Sequence, residues 1–359
     1  VTGKVAVVLF NLGGPDAPDA VRPFLFNLFH DPAIIGVPQP FRWLLATLIS
    51  RRRAPVAGAI YAKLGGRSPL LPETERQAAA LQARLRAQAL DATVFVCMRY
   101  WRPMSDAVAR AVRAFAPDRV VLLPLYPQFS TTTTASSVSD WRRAATAAGL
   151  AAPTRPICCY PLMPGLATAI ADLLAAGLAK SDARRPVRVL FSAHGLPKKV
   201  VARGDPYQWQ VEATVRAVVA ALDRPDLDHV VCYQSRVGPL EWIGPSVEAE
   251  LERAAKDGVQ VVVVPVAFVS EHSETLVELD IEYRERAHQL GVDGYVRVPT
   301  VGCHPAFIDG LAGLVHEALT DTPVAEPAGP APAAGGRICA DNLARCPCRP
   351  SMTWPASPI

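Results

Sequence analysis

The sequence predicts an α/β protein: two doubly wound domains, each built on a parallel sheet, followed by a short cysteine-bearing tail. Three observations predict it. Apolar runs alternate along the chain with amphipathic stretches of helical period, the pattern of a parallel sheet covered on both faces. The ends of corresponding runs rhyme between the halves, "FNLGGP" at 10–15 with "FSAHGLP" at 191–197 and "VVLLPLYPQFS" at 120–130 with "VVVVPVAFVS" at 261–270, as after an internal duplication. The length, 359 residues, suits two domains that each bury a core.

Taken in order, the predicted strands of the first half are "VAVVLF" (5–10), "TVFVCM" (93–98), "DRVVLLPL" (118–125) and a weaker "PTRPIC" (153–158). Those of the second half are "VRVLFS" (187–192), "DHVVCY" (228–233), "VQVVVVPVAF" (259–268) and "GYVRVPTV" (294–301). Between them stand helices such as "ETERQAAALQARLRAQA" (73–89) and "QVEATVRAVVAAL" (210–222). The expected domains are 1–160 and 161–304, with a helix over 305–320 packing back on the first. A Pro/Ala/Gly linker follows at 321–336 and the tail at 337–359.

Composition narrows the function. Half the residues are hydrophobic and 19% charged, which is globular. A net charge of +4 from scattered basic residues, with no aromatic-basic repeat, argues against nucleic acid. "NLGGP" lacks the G-x-G-x-x-G spacing and "LGGRSPL" at 64–70 is bounded by proline, so a nucleotide is disfavoured. The first residues enter a strand directly, so no secretory signal is expected, and no uncharged apolar run is long enough to span a bilayer. Eight cysteines without a signal read as reduced thiols or metal ligands.

Ligands of open parallel sheets bind beyond the carboxyl ends of the strands. In the first half those positions carry Asn11, Arg99, Tyr100, Gln128 and Ser130; in the second, His194, Gln234, Ser235, Glu271, His272, Glu274 and His304. The stretch "EHSETLVELDIEY" adds Glu278 and Glu282. On an α-helix Glu274, Glu278 and Glu282 stack at i, i+4, i+8, with Glu271 close to the same line and no basic residue at i+4 from Glu271, Glu274 or Glu278 to relieve them. A solvated face is the plain reading; a stripe awaiting a positive visitor is the functional one. His194, before a glycine and near carboxylates, suits a general base. The Glu271, His272, Glu274 cluster lacks the second histidine of a helical zinc motif and suits a transient ferrous ion better. The segment 38–53, "PQPFRWLLATLISRRR", reads as a core helix, an interfacial helix or a cover for a large apolar ligand. In the tail, Cys339, Cys346 and Cys348 form C-x6-C-x-C, one short of four ligands, with Cys158 or Cys159 of "ICCYP" able to complete them. Cys97 and Cys232 lie inside strands and read as buried thiols.

Taken together, "FNLGGP", "YPQFSTTTT", "FSAHGLP", "YQSRVGPLEWIGP" and "FVSEHSETLVELDIEY" closely resemble the successive motifs of the ferrochelatases, over about residues 4 to 315. The resemblance implies two Rossmann-like lobes enclosing a porphyrin, with ferrous iron inserted into protoporphyrin IX and both pyrrole protons released. It implies His194 as proton acceptor or iron ligand, Glu274 as its acidic partner, and Glu278 and Glu282 as a conduit for protons or metal. Leu12, where the family often has methionine, Tyr61, Arg99, Tyr100, Ser130, Gln234, Ser235 and Trp242 resemble porphyrin-binding positions. A bacterial subset carries a [2Fe-2S] cluster, which assigns Cys158, or alternatively Cys159, with Cys339, Cys346 and Cys348; a zinc ion is the runner-up. The expected partners are the porphyrin, iron and an anionic membrane surface, with a homodimer allowed, in the cytoplasm or on the inner face of its membrane. A coproporphyrin III ferrochelatase and a non-catalytic porphyrin or haem carrier are the alternatives.

Overall fold

The computed structural model describes residues 3–236, 238–320 and 337–348. The predicted linker at 321–336 and the end of the tail, 349–359, lie outside the described residues. One compact unit runs to Tyr160 and resumes over Leu311–Ala340 and from Arg345; the other takes Pro161–Gly310 with Asp341–Ala344.

The first unit is built from β1 (Val5–Asn11), α1 (Val21–Phe29), α2 (Phe41–Ala62), α3 (Leu70–Ala87), β2 (Ala92–Met98), α4 (Ser105–Phe115), β3 (Arg119–Pro124), α5 (Thr134–Ala148) and β4 (Thr154–Pro156). Its strands form one parallel sheet in the order β2-β1-β3-β4. Every residue of β1 is buried, which is why this strand reads as an unbroken apolar run rather than an alternation. Phe10 meets Trp141 of α5 edge to face at 6.1 Å, at the centre of a core that also takes in Val8, Leu122 and Val138. The helix α3 turns Leu70, Thr74, Gln77, Ala78, Leu81 and Leu85 inward, the stripe its periodicity predicts.

The second unit repeats the plan with α6 (Pro164–Leu178), β5 (Val187–His194), α7 (Lys198–Ala202), α8 (Tyr207–Leu222), β6 (His229–Gln234), α9 (Val247–Asp257), β7 (Gln260–Pro265), a π-helix (Glu274–Glu282), α10 (Tyr283–Gln289), β8 (Tyr295–Arg297) and α11 (Pro305–Thr320). Its sheet, β6-β5-β7-β8, is again parallel, and the equivalent strands hold equivalent places. Both sheets thus place the first strand of their half inside, as an internal repeat requires. Ser246 caps α9 by accepting a hydrogen bond from the Ala249 amide at 3.2 Å, and Gly258 closes it in the left-handed region. The division between the units falls inside α11, so this helix belongs with the first unit only from Leu311, where Arg119 donates to the Leu319 carbonyl at 2.7 Å.

Two expectations change. The segment 38–53 is not a core helix: it opens α2, and Phe41 is 65% exposed and Leu44 60%, with Trp43 and Leu48 also in the open. The acidic stretch is not an α-helix either. The Tyr283 amide donates to the Glu278 carbonyl, five residues back, so the turn is wider than the sequence argument assumed.

Candidate active site

The second unit's site starts at the end of β5. The predicted strand stops at Ser192, but the ladder runs on and pairs His194 with Gln234 of β6. The imidazole is thereby held at the carboxyl end of the sheet, with its side chain 41% exposed. Its Nδ1 lies 2.8 Å from Oε2 of Glu274, the first residue of the π-helix. With an ionised carboxylate there, Nδ1 carries the proton and donates it, which leaves the Nε2 lone pair as the base of the neutral ring.

The electrostatics of this pair follow from two opposed effects. Burial alone lowers the imidazole's pKa, and the charge and hydrogen bond of Glu274 outweigh it, leaving His194 above its ordinary value. Burial likewise acts against the Glu274 carboxylate, and His194 overrides it, holding Glu274 down to about 2. The stability that His194 contributes is full below its ordinary 6.5 and is lost as pH rises through the raised folded value. That of Glu274 is full above its ordinary 4.5 and is lost as pH falls towards about 2. The pair is at full strength between those ordinary values.

Glu278 stands beside this pair in a different state. Its Oε1 accepts from the Ser235 amide at 2.8 Å and lies 3.3 Å from the Tyr283 hydroxyl. Its Oε2 accepts from Gln234 Nε2 at 2.9 Å and from Ser235 Oγ at 2.5 Å. Burial and the nearby Glu274 charge raise its pKa despite these donors. Ser235 brings both of its donors to the carboxyl by adopting φ 58°, a left-handed conformation that is strained for a residue with a side chain and typical of functional loops. Gln234 is fully buried. Its amide oxygen accepts from Ser192 Oγ at 2.7 Å, and its nitrogen also reaches the Glu274 carbonyl at 3.1 Å. Glu282, at the far end of the π-helix, is exposed, so the three glutamates grade from a protected pair to solvent.

Glu271 does not belong to the stripe. It precedes the π-helix, and its Oε1 accepts from Arg297 Nη1 at 2.7 Å and from the Thr300 amide at 3.0 Å. The relieving cation comes from β8, beyond the reach of an i+4 search. His272 puts Nδ1 on the Ser270 carbonyl at 3.2 Å and lies against Phe268, its pKa lowered by burial, while His304 pairs with Asp172 at 3.5 Å.

In the first unit the positions after β2 gather on a residue the sequence reading missed. Asp31 is buried, and its Oδ2 accepts from Arg99 Nη2 at 2.9 Å, from the Tyr100 hydroxyl at 2.7 Å and from Ser136. Burial opposes the Arg99 charge and Asp31 more than compensates, so the guanidinium stays ionised. Tyr100 is 1% exposed, Ser130 is buried with Thr132 Oγ1 at 2.9 Å, and Tyr61 is buried in the same cluster as Tyr100. Leu12 keeps some open surface, as do Ser235 and Trp242 in the second unit. The only sequence signal for Asp31 is "HDP", which reads as a turn.

The tail thiols come to the predicted cysteines. Cys158 Sγ is 3.0 Å from Cys159 Sγ and 3.1 Å from Cys348 Sγ. Cys346 is hydrogen-bonded to the thiols of Cys339 and Cys348, which lower its pKa, whereas its thiol neighbours and burial push Cys158 up. Among the described residues no three His, Cys, Asp or Glu side chains close around a single point. Cys97 and Cys232 are buried in β2 and β6.

The repeated α/β plan, with a paired imidazole and carboxylate beside a second carboxyl of raised pKa at the carboxyl ends of its sheet, is a chelatase-type fold. The solved structure of SirB from Bacillus subtilis with Fe3+ has this fold, with a TM-score of 0.52, 12% identity, and coverage of 88% of this chain and 96% of that one. The chain belongs to the ferrochelatase family, whose model matches residues 4–319. It is 53% identical over 351 residues to the ferrochelatase of Caulobacter vibrioides strain NA1000, covering 97% of this chain and 99% of the other. With the ferrochelatase of Phenylobacterium zucineum it shares 56% over 344 residues, covering 94% and 98%. The chain is therefore a lyase-class metal chelatase that inserts iron into a porphyrin in haem biosynthesis.

Replacing Glu274 by glutamine removes the larger of the two carboxylate effects that raise His194 and leaves only that of Glu278 against burial. The imidazole pKa then falls from its wild-type value, as followed by NMR of the ring; an imidazole that titrates as in the wild type contradicts the pairing.

Proposed function

We propose that the porphyrin is protoporphyrin IX, that iron enters as the ferrous ion, and that His194 accepts the pyrrole protons. The observation that carries this reading is the His194–Glu274 pair beside Glu278. A pyrrole N–H is a weak acid, so its acceptor needs a raised basicity and a lone pair aimed away from its own anchor. Glu274 supplies both, holding Nδ1 and leaving Nε2 to the substrate. The same two side chains offer a nitrogen and an oxygen to a ferrous ion shedding water. Glu278 takes protons onward because it is the carboxyl whose charge is disfavoured, and Glu282 continues the series to solvent.

Of the porphyrin-binding positions, Leu12 and Arg99 of the first unit and Ser235 and Trp242 of the second keep open surface. Tyr61, Tyr100, Ser130 and Gln234 are buried and support these neighbours. The exposed apolar row of α2 favours the less polar protoporphyrin over coproporphyrin. Its end at Arg51, Arg52 and Arg53 supports a peripheral seat on an anionic membrane surface on the cytoplasmic side. Among the described residues no helix is long and apolar enough to cross a membrane.

The donor set of the tail fits a [2Fe-2S] cluster: four cysteines, with Cys158 against Cys348 at 3.1 Å and Cys346 hydrogen-bonded to Cys339 and Cys348, on a segment with little core of its own. Cys158 rather than Cys159 is the fourth ligand in this reading, because it lies against Cys348. When bound, such a cluster supplies a one-electron centre and a cross-link of the tail to the first unit. Metal binding that orders a segment contributes to folding stability.

Two experiments test these assignments. Under anaerobic conditions with ferrous iron, visible spectra are expected to show protohaem forming faster than the coproporphyrin product. His194→Ala lowers kcat by on the order of a hundredfold while protoporphyrin still binds; substantial residual turnover removes His194 from the mechanism. Full-length protein purified anaerobically is expected to carry acid-labile sulfide and charge-transfer absorption, both lost in Cys346→Ser. Stoichiometric zinc in their place refutes the cluster.

A further inference from the structure

Metallation delivers protons to a protected site, and the exit for them is not confined to the π-helix face. Ser235 is hydrogen-bonded to both Glu274 and Glu278. On its other side Glu278 meets the Tyr283 hydroxyl at 3.3 Å, and that hydroxyl lies 3.0 Å from Oε1 of Glu248. Glu248 sits in the first turn of α9 and is exposed. The ring of Tyr283 is buried among Leu190, Leu251, Leu279 and Val292, so the hydroxyl is fixed between the two carboxyls. A continuous line of hydrogen-bonding groups therefore runs sideways from the His194–Glu274 pair, through the core of the second unit, to the surface at α9.

The central link has a proton requirement that geometry alone sets. A phenol has one O–H and can donate to one carboxylate. If both contacts are hydrogen bonds, one carboxyl must bring a proton of its own. We propose that Tyr283 and Glu248 are the main outlet by which protons released on metallation pass from Glu278 to solvent, ahead of the route along the π-helix to Glu282. The inference rests on the proton-accepting role given to His194 above. In the transfer, the O–H bond of the Glu278 carboxyl breaks as its proton moves to the Tyr283 oxygen. The O–H bond of the tyrosine breaks as its own proton moves to the Glu248 carboxylate, which then loses it to water. The phenol ends neutral, and its hydroxyl turns back for the next proton. No electron moves and no co-reactant is needed.

The protonation states agree with this direction. Burial and the Glu274 charge favour the protonated form of Glu278. Burial and the two flanking carboxylates push the Tyr283 phenol far up, so it takes a proton as it gives one and does not ionise. Neither Tyr283 nor Glu248 touches the porphyrin in this account; both act through Glu278.

The test compares Tyr283→Phe, which removes one oxygen and leaves the ring in its core, with Glu248→Gln at the surface. Each is expected to lower kcat for anaerobic iron insertion by on the order of tenfold, with KM for porphyrin and iron unchanged. Each should also enlarge the solvent deuterium isotope effect on kcat, which a purely structural role does not do. The double variant is expected to be no slower than the slower single one, because both interrupt one path. The proposal is overturned if Glu248→Gln keeps wild-type kcat and isotope effect, whatever Tyr283→Phe does, or if the two losses multiply. Should Tyr283→Phe fail to fold, the isotope effect of Glu248→Gln decides alone. Full turnover in His194→Ala sinks the underlying reading, and it does so independently of these two variants.

Discussion

Two carboxyl groups four residues apart in a partly buried helix cannot both ionise at ordinary cost, and the second unit's site is arranged around that constraint. The His194 imidazole goes to Glu274. Once that pair exists its carboxylate charge works against Glu278, which keeps its proton to higher pH than an ordinary glutamate. In the proposed mechanism one carboxyl is thus a fixed anion that raises the basicity of the imidazole, and its neighbour carries protons. Removing protons from a porphyrin and passing them on needs this division of states. It arises from placement, since the two side chains are chemically identical.

The fold supplies the placement. Strands β5 and β6 end side by side, so His194 and Gln234 are register partners. The loop after β7 leads to the π-helix that carries the carboxyls. The wide turn of that helix, rare and concentrated at functional sites, sets Glu274 and Glu278 where Gln234 and Ser235 serve both. The left-handed backbone of Ser235 is a local strain accepted to aim two donors at one carboxyl. In the first unit Asp31 plays the corresponding role for Arg99 and Tyr100, holding a guanidinium and a phenol in place from a turn at the end of α1.

Much of this was legible in the sequence, for definite reasons. Strands buried on both faces write themselves as unbroken apolar runs, so β1 and β7 were found nearly in place and the internal repeat predicted two like sheets. His194 was visible because sheet ends are where ligands bind, and Glu274 and Glu278 because spacing alone marks a stripe. What stayed hidden depends on partners distant in sequence. Arg297 neutralises Glu271 from 26 residues away, and Asp31 anchors Arg99 across 68. No periodicity separates an α-helix from a π-helix over nine residues. Nor does composition tell a core helix from an exposed one, so the sequence of α2 fits both readings and burial alone separates them. The tail thiols were legible as a set, and their nearness to Cys158 only in three dimensions.

The claim on which the account turns is that Glu278 retains its proton while Glu274 does not. Infrared spectroscopy of the pure protein across a pH series tests it most directly, through the carbonyl stretch of a protonated carboxylic acid. The expected band persists above the pH at which ordinary glutamates ionise, is absent from Glu278→Gln, and in Glu274→Gln disappears at lower pH than in the wild type. A wild-type protein with no such band, or one whose band survives in Glu278→Gln, would contradict it.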